Sequence, residues 1–366
     1  MRLLTLSSHA ERTTRACAIA LGFTIPISVA LDNVLLALIL ALWIVSGGYR
    51  AKLALLSRHR VALAALSLFG LLVMGLAWGD HDTSAGLRML GKYIDLVFVP
   101  IFVTLFQAER DRRRAWLALA VALLLTLALS YLTRAGLVPS SPFVMGGPGP
   151  GSPEIFKKAL TQNILMAFGA FLFTHFAVRA QSLRSRILWA AAALLAVINV
   201  MVMVQGRTGQ VILVVLTVYL VYSTWRRIGA LPTALVFGIV VGALALGMVS
   251  NSNRLTITLE ELKEWQPDRV TTTSTGQRLQ FYRNSLEIIR DHPVIGVGTG
   301  GFAKAYASRV GGTDMMQTVN PHNEYLNIAV QLGIIGLVAL LYLFYCQWRL
   351  APALPTTFES HVARGL

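Results

Sequence analysis

The sequence predicts an all-α polytopic membrane protein with about ten transmembrane helices and one large helical loop. Of its 366 residues, 55% are hydrophobic and only 13% are charged. Soluble domains carry about 25% charged residues, so this chain has too few charges to cover a surface that faces water. The apolar residues come in blocks of about 20, as in transmembrane helices, and not in the alternating pattern of β-barrel strands.

Ten apolar segments are each about long enough to cross roughly 30 Å of hydrocarbon. They are residues 16–31, 33–48, 61–78, 87–107, 115–133, 158–178, 187–205, 210–225, 231–250 and 323–348. Nine of these helices fall within residues 1–250. Residues 251–321 form the large loop, and residues 322–366 contain the tenth helix and a connector.

Both ends of the chain carry signals that bear on its topology. Arg12 precedes an apolar stretch, as in a cleavable signal peptide, but Pro26 interrupts the stretch and favours an uncleaved first helix. Residues 350–366 are typical of a cytoplasmic connector whose basic residues flank another span. We therefore expect further helices, twelve in total, in a full-length protein.

Positive charge alternates between successive connections. More than half of the 32 Lys and Arg residues lie in one set of connections, which contains Arg2, Arg12, Arg15, Arg50, Lys52, Arg58, Arg60, Arg110, Arg112, Arg113, Arg114, Arg179, Arg184, Arg186, Arg226, Arg227, Arg349 and Arg364. The positive-inside rule puts this set and both termini in the cytoplasm, so the 251–321 loop faces outward. The net charge of +15 is explained by these flanks, and we expect no nucleic-acid partner.

Basic residues on the outer side are not explained by topology. Lys92 and Asp95 fit either a structural i,i+3 ion pair or an anion site within a span. Arg88 is placed either to contact a ligand or to extend to the membrane interface. Arg207 lies in a tight turn, Gln205–Gly209, whose glycines allow close approach of a ligand, so we favour a functional role for it.

The large loop is predicted to contain two helices. Thr258 and Glu261 have the spacing of a capping box, and the helix they begin should run to about Trp265. A second helix is predicted from Ser274 or Thr275 to Asp291. Its apolar stripe is Leu279, Tyr282, Leu286 and Ile289, flanked by Arg278, Arg283 and Arg290, so it could lie along the membrane surface. For Arg283 and Arg290 a solvated basic face is the simpler interpretation.

A glycine-rich turn and a histidine follow this helix. The turn runs from Pro293 to Phe302, and its spacing is not that of a dinucleotide site, because no strand precedes it. Asn320 is predicted to be the N-cap of the last span, with Pro321 first and His322 in the first turn. The positive end of that helix favours a neutral imidazole, which could accept a proton from a hydroxyl; alternatively, His322 only completes the helix start.

These residues resemble the O-antigen ligase/polymerase superfamily, and the ligases of Gram-negative lipopolysaccharide assembly most of all. The resemblance rests on the first-turn His322-Asn323-x-Tyr325-Leu326, the glycine turn before it and an upstream loop arginine. It implies a fold similar to that of lipid-to-glycan (GT-C-like) transferases in the bacterial inner membrane, with the active site facing the periplasm. Gln331 departs from many relatives, which place a glutamate nine residues after the histidine, and Glu324 is only a partial substitute.

The resemblance also implies a reaction, which is transfer of a glycan from undecaprenyl diphosphate to a sugar hydroxyl of lipid A-core oligosaccharide. Transfer is inverting and needs no metal or other cofactor. Arg207 and Arg278 would bind the diphosphate, and His322 would act on the acceptor hydroxyl. We expect supporting roles for Arg88, Lys92, Arg283, Asn323, Glu324 and Tyr325. Membrane lipids are the other expected partners.

Three alternatives stay open at this point. A polymerase would use a second lipid-linked glycan as the acceptor. A transporter of lipid-linked glycans or anions could use Lys92 and Asp95 as part of an anion path, although no internal repeat supports it. A metal site at Asp80-His81-Asp82 is less favoured than an acidic turn, because two carboxylates alone hold a divalent cation poorly.

Overall fold

The computed structural model describes residues 2–79, 83–138, 153–204, 206–228 and 273–350, with single residues 238, 261 and 265. Four predictions lie wholly or largely outside these residues: the span at 231–250, the Asp80-His81-Asp82 motif, the short helix at 258–265 apart from Glu261 and Trp265, and the connector after 350.

The described chain is helical almost throughout. Its α-helices are Arg2–Thr24 (α1), Val29–Val45 (α2), Tyr49–Leu56 (α3), Arg60–Met74 (α4), Thr83–Lys92 (α5), Asp95–Leu105 (α6), Glu109–Arg134 (α7), Ala159–Arg179 (α8), Leu183–Ile198 (α9), Arg207–Ile228 (α10), Ser274–Asp291 (α11), Phe302–Val310 (α12) and Glu324–Leu350 (α13). A 3₁₀ turn, Gly75–Ala77, extends α4, and a π-helical turn, Asn199–Met203, extends α9. The predicted all-α class is therefore confirmed for these residues.

Five helices within the described ranges are long and apolar enough to cross a membrane. They are Arg60–Ala77, Glu109–Arg134, Ala159–Arg179, Leu183–Met203 and Glu324–Leu350. These coincide with the predicted spans 61–78, 115–133, 158–178, 187–205 and 323–348. A sixth candidate would combine α2 and α3 across the break between them. The total of ten spans stays a prediction.

Three predicted spans differ from the observed helices. The prediction at 16–31 is wrong, because α1 ends at Thr24 and Ser28 caps α2, which replaces the span predicted at 33–48. The span predicted at 210–225 lies within α10, which runs from Arg207 to Ile228. The span at 87–107 is divided into α5 and α6 at Tyr93 and Ile94.

The break between α5 and α6 removes the expected i,i+3 geometry of Lys92 and Asp95. Lys92 is the last residue of α5, and Asp95 is the first residue of α6. Both side chains are exposed, and no ion pair joins them among the residues that the structure describes. The structural ion pair that the sequence suggested is therefore not formed.

The helices form two compact units. Of the described residues, unit 1 contains those between 2 and 47 and between 105 and 228, and unit 2 contains those between 48 and 104 and between 273 and 350. The core of unit 1 packs α7, α8 and α9 through small residues, among them Ala120, Ala167, Ala170, Ala193 and Ala196. Small side chains let apolar helices approach closely, which compensates for the weak hydrophobic drive inside a membrane.

Buried polar side chains connect the same helices inside unit 1. Ser130 donates to the carbonyl of Pro153 at 2.9 Å, and Asn199 Nδ2 donates to Ser130 Oγ at 2.8 Å. Gln162 accepts from the backbone N–H of Ile155 at 2.6 Å and donates to the carbonyl of Pro153 at 3.2 Å. Such bonds satisfy groups that could not find water in the hydrocarbon, so they fix the register of the helices.

The core of unit 2 is formed by α4 and α13, with α11 and α12 packed beyond them. Leu68, Leu72, Ile328 and Leu332 are fully or almost fully buried between α4 and α13. A second cluster, Phe281, Ile288, Phe302, Tyr306, Val310 and Val330, joins α11 and α12 to α13. The loop helices are therefore anchored to a membrane helix by aromatic packing.

Candidate active site

The glycine turn is inserted into a break in helix α13. Gly333 has φ 61° and ψ −156°, so the helix is interrupted there and its hydrogen-bond ladder is open. The turn supplies the missing partners. Val297 N–H donates to the carbonyl of Val330 at 2.9 Å, Gly298 N–H donates to that of Gln331 at 2.9 Å, and Ile334 N–H donates to that of Pro293 at 2.9 Å. Backbone groups at membrane depth are satisfied in this way without water.

The same turn packs so closely against the residues that end and follow α4 that no side chain fits between the two backbones. Thr299 donates from its N–H to the carbonyl of Gly75 at 2.9 Å and from Oγ1 to that of Leu72 at 2.7 Å. Gly298 has φ 86°, and a Cβ there would overlap the backbone of Gly79. The sequence predicted a sharp turn here, and the structure adds that two backbones meet at this point.

His322 lies just before helix α13 and not in its first turn. The helix begins at Glu324, and Asn323 is its N-cap, because Asn323 Oδ1 accepts the N–H of Leu326 at 3.2 Å. The prediction that Asn320 caps this helix is wrong. Asn320 Oδ1 instead accepts the N–H of His322 at 2.8 Å, which closes a turn two residues long.

The backbone of His322 is strained. Its φ is 56°, and only Phe156 shares a positive φ among the non-glycine residues that the structure describes. A non-glycine residue in this region costs about 1–3 kcal/mol and persists where the surroundings hold it, often at a functional site. The turn through Asn320 and the cap through Asn323 hold His322 from both sides.

The imidazole of His322 is exposed and stacks on a buried aromatic ring. The ring centroids of His322 and Phe281 are 5.9 Å apart, with an interplanar angle of 28°. Phe281 in turn contacts Tyr306 edge-on at 5.9 Å, and burial raises the pKa of the Tyr306 phenol. Because one face of the imidazole packs on Phe281, the ring is held in one orientation, while its exposed nitrogens remain accessible to a substrate.

Arg278 lies one helical turn before Phe281 on α11. Its side chain is exposed, and within the described ranges it forms no ion pair. Positions i and i+3 share a helix face, so the guanidinium projects from the face that carries the ring under His322. Unit 2 therefore presents a cation and a histidine on one side of α11.

Arg283 is less available than Arg278. Its Nε donates to Glu287 Oε1 at 3.2 Å, and Glu287 also binds Arg309, which pairs with Asp291. This cluster supports the sequence interpretation of Arg283 as part of a solvated face. On α11, Leu286 of the predicted stripe is 57% exposed, and the face packed inside the protein is formed by Gly276, Gln280, Phe281, Asn284, Ser285 and Ile288. Contact of the stripe with the membrane surface stays a prediction.

Three further predicted residues also belong to unit 2. Arg88 is exposed on α5 and donates to Ser84 Oγ at 2.7 Å. Lys92 is exposed at the end of α5, and Tyr325, half exposed on α13, contacts the ring of Phe344 at 6.3 Å. These contacts are local, so a supporting role for each remains a prediction.

A hydrogen-bonded chain leads from Glu324 to the glycine turn. The Tyr93 hydroxyl donates to Glu324 Oε1, and Asn327 Nδ2 donates to the Tyr93 oxygen at 2.9 Å. Gln331 Nε2 donates to Asn327 Oδ1 at 3.0 Å, and Gln331 Oε1 accepts the N–H of Gly300 at 2.8 Å. The sequence analysis missed Tyr93 and Asn327. The i, i+3, i+7 spacing of Glu324, Asn327 and Gln331 on one helix face was the signal available.

Gln331 explains the departure from the relatives' glutamate. It is fully buried, and it uses both its donor and its acceptor within unit 2. A glutamate could accept from Gly300 but, when ionised, could not donate to Asn327. Gln331 is therefore a structural link between helix α13 and the glycine turn and not a missing carboxylate.

Replacing Gln331 with leucine is expected to lower the free energy of unfolding by about 1–3 kcal/mol, because a buried N–H at Gly300 and buried oxygens of Asn327 lose their partner. Gln331→Glu keeps the acceptor for Gly300, but an ionised carboxylate would be buried against the oxygens of Asn327, so a smaller loss is expected only where the carboxyl is protonated. Thermal unfolding of both variants in the same detergent measures the difference. Equal stability of Gln331→Leu and the wild type would contradict this role.

Arg207 belongs to unit 1, where it is the first residue of helix α10. The predicted reason for its flanking glycines is corrected. A Cβ at Gly206 would lie 2.7 Å from Asn163 Nδ2, and one at Gly209 would overlap the Asn163 amide. Asn163 Nδ2 donates to the carbonyls of Val204 at 2.8 Å and Gly206 at 3.1 Å. The glycines thus admit a side chain of α8 that fixes the start of α10.

A cavity of about 740 Å³ adjoins the glycine turn in unit 2. It lies between the end of α11 and helix α12, and its lining includes Trp78, Asp291, His292, Lys304 and Arg309. Trp78 Nε1 donates to the carbonyl of Ile295 at 3.2 Å, which fixes the ring at the edge of the turn. The glycine turn thus lies between this cavity and helix α13.

Comparison with known proteins finds one matching family model. Residues 192–341 match the family model described as O-antigen ligase. These residues are a domain of the O-antigen ligase family. The matched segment contains Arg207, Arg278 and His322, together with the glycine turn and Gln331. The resemblance inferred from the residues is therefore confirmed over this domain.

A second comparison covers less of the chain. A stretch of 73 residues is 32% identical to a protein of Haemophilus influenzae that carries the description "Uncharacterized protein". The stretch is 19% of this chain and 18% of that protein, so the match spans less than a fifth of the relative. Support for a ligase- or polymerase-type activity thus comes from the family match alone, which covers residues 192–341.

Proposed function

We propose that this protein is an O-antigen ligase, which transfers O-antigen polysaccharide from undecaprenyl diphosphate to a sugar hydroxyl of lipid A-core oligosaccharide. The reaction takes place on the periplasmic side of the inner membrane. The observation that carries the proposal is His322, an exposed and backbone-strained histidine that stacks on Phe281 one turn from Arg278, inside the O-antigen ligase domain.

The reaction requires one bond to form and one to break. The acceptor hydroxyl attacks C1 of the donor sugar while the bond from C1 to the diphosphate oxygen breaks, and the electron pair leaves with the diphosphate. His322 takes the hydroxyl proton, since an imidazole accepts a proton near neutral pH. Attack from the face opposite the leaving group inverts C1. No metal enters this proposal.

The leaving diphosphate needs positive charge. A guanidinium offers paired N–H donors that match phosphate oxygens. Arg278 is exposed one helical turn from Phe281, whose ring stacks on His322. Arg207, at the start of α10, is proposed as a second diphosphate ligand, where the positive end of a helix dipole would add to its charge. Glu324 and Asn323 hold the chain around His322 and support its position.

Replacing Arg278 with alanine is expected to lower the transfer rate roughly 10–100-fold, because a hydrogen bond to a charged group contributes about 1.5–3 kcal/mol. Arg290→Ala is the matched control, since Arg290 is also exposed on α11 but lies three turns from Arg278. Initial rates with a defined lipid-linked donor measure both. An equal loss in the two variants would assign the effect to the general charge of the helix.

Reconstitution tests the function as a whole. The purified chain is combined with a glycan on undecaprenyl diphosphate and either lipid A-core oligosaccharide or a second lipid-linked glycan as the acceptor. Transfer to lipid A-core supports the ligase, and transfer only to the lipid-linked glycan would make the protein a polymerase. No transfer with either acceptor would favour a transporter. The same assay in EDTA tests whether a metal is needed.

A deletion strain gives an independent distinction. Loss of a ligase leaves core lipopolysaccharide without O-antigen and lets long lipid-linked polymer accumulate. Loss of a polymerase leaves a single repeat on the core. Gel profiles of the strain, with and without the wild-type chain restored, therefore separate the two activities.

A further inference from the structure

A second cavity lies in unit 1, among helices that the proposed reaction does not use. Its volume is about 430 Å³, and it is formed where the start of α7, the end of α8 and the start of α9 meet. The lining is Glu109, Arg113, Trp116, Leu117, Phe176, Arg179, Ala180, Gln181, Ser185 and Trp189. We call it the α7–α9 cavity.

The α7–α9 cavity carries excess positive charge. Arg113 and Arg179 line it against a single carboxylate, Glu109. Helices α7 and α9 both begin beside it, and a helix start carries a partial positive charge. Two guanidinium groups within one small cavity match the oxygens of a phosphate group.

Aromatic side chains form the apolar wall of the α7–α9 cavity. Trp189 packs against Phe173 with ring centroids 5.7 Å apart and against Phe176 at 4.9 Å. Trp116 contacts Phe168 at 6.2 Å. Tryptophan is enriched where a membrane helix passes from hydrocarbon to headgroups, because the ring has an apolar body and a polar N–H. The cavity therefore combines tryptophans of the kind found near lipid headgroups with two arginines that suit a phosphate group.

The surface around the α7–α9 cavity is apolar toward the hydrocarbon. Leu117, Leu183, Ile187 and Leu188 are between 39% and 69% exposed on α7 and α9. Because α7 and α9 are long and apolar enough to cross a membrane, these side chains would face acyl chains, and a lipid in the cavity would have hydrocarbon beside its polar group. A soluble phosphate would leave the aromatic wall uncovered, whereas a phospholipid would cover it.

We propose that the α7–α9 cavity binds the headgroup of an anionic phospholipid, with Arg113 and Arg179 on its phosphate and Trp116 and Trp189 beside its glycerol and upper acyl chains. Basic pockets between membrane helices are suited to such headgroups. The positive-inside rule predicts that this end of the helices faces the cytoplasm. The proposal does not depend on the transfer reaction, because none of these residues takes part in it.

Lipid binding by the full chain tests the site. The protein is purified in detergent, stripped of lipid and titrated with cardiolipin or phosphatidylglycerol, and bound lipid is counted by native mass spectrometry. The double variant Arg113→Gln/Arg179→Gln is expected to bind at least about tenfold more weakly, since each surface cation contributes about 1 kcal/mol to anionic-lipid binding.

The matched control is Arg110→Gln/Arg184→Gln. It removes the same charge from the first turns of α7 and α9, which border the cavity, but neither residue lines it. We expect the control to change affinity by less than about threefold, because its loss affects only the general surface attraction. An equal loss in both double variants would overturn the proposal.

A third variant and two other probes complete the test. Ser185→Phe fills the cavity and keeps both arginines, so it should also weaken binding; unchanged affinity would overturn the site even if the arginine variant failed to fold. Phosphatidylethanolamine should bind more weakly than phosphatidylglycerol, and equal binding would overturn the charge preference. Glycerol phosphate binding as tightly as phosphatidylglycerol would show that the ligand is a soluble phosphate and not a lipid.

Discussion

Replacing His322 with alanine is expected to lower the rate of glycan transfer by about 10²–10⁴-fold, the range for loss of a general base. The acceptor hydroxyl is a poor nucleophile until its proton is removed. His322 has an exposed imidazole that stacks on Phe281, on the side of α11 that also carries Arg278. Initial rates at saturating donor and acceptor measure the loss. In cells carrying the variant, core lipopolysaccharide should lack O-antigen at normal protein levels.

The backbone at His322 requires its own control. Alanine at φ 56° is strained, so a loss in His322→Ala alone could reflect a displaced turn. His322→Gly adopts this conformation freely and should be at least as stable as the wild type, and asparagine also tolerates it. We expect both variants to be as inactive as His322→Ala. A stable and active His322→Gly would exclude the imidazole from the reaction.

A comparison of pH profiles separates two roles for His322. If the imidazole takes the proton, a variant that cannot take it should lose the pH dependence that the wild type shows. His322→Gln can orient the acceptor by a hydrogen bond but cannot take its proton near neutral pH. A residual activity in His322→Gln with the same pH dependence as the wild type would assign His322 to orientation only.

The start of helix α13 shows how far local sequence rules reach. Asn320-Pro321 and Asn323 are both acceptable helix starts by cap preference, and the sequence alone favoured the first. The choice depends on contacts that sequence does not display. Asn320 bonds to His322 in a local turn, while the helix face that begins at Glu324 is tied to Tyr93 some 230 residues away in the chain. Contacts with distant parts of the chain are therefore needed to tell which asparagine caps the helix.

The broken helices were the other feature that hydropathy did not predict. Residues 87–107 are apolar enough for one span, but Tyr93 turns into the Glu324–Asn327 network and interrupts the helix. Residues 323–348 were predicted as one span, and their position was right. The interruption at Gly333 depends on the glycine turn, whose N–H groups replace the missing helical partners. Hydropathy reports burial in lipid and is insensitive to such exchanges.

The residues of the candidate site were easier to predict than their geometry. Arg278 was singled out as an outer-side arginine that topology did not explain, and His322 by its expected place at a helix start and by the family resemblance. The structure brings Phe281, one turn from Arg278, against His322. Gln331 was noted only as a missing carboxylate, since its role depends on Gly300, which is distant in sequence. Residue type and position therefore suggested the candidate reactive groups, whereas the groups that hold them in place could be found only from the fold.

Replacing Gly298 with alanine is expected to have the largest effect on stability. A Cβ at this position would overlap the backbone of Gly79, which cannot rotate away as a side chain could. Overpacking costs about 1–3 kcal/mol, and alanine at positive φ adds roughly 1–2 kcal/mol. We expect a large fall in the free energy of unfolding, measured by thermal or denaturant unfolding in detergent, and loss of transfer.

Gly312→Ala is the control that isolates the close approach. Gly312 also has a positive φ, 78°, but a Cβ there would meet nothing within 4 Å. It should therefore show only the conformational cost, and the difference between the two variants measures the contact between the turn and Gly79. If the two variants unfolded at the same temperature, the contact between the turn and Gly79 would not limit stability.

Because Gly298 also donates to Gln331 in the break of α13, its displacement would open the helix that begins beside His322. Stability and transfer should therefore fall together in Gly298→Ala, whereas transfer should persist in Gly312→Ala.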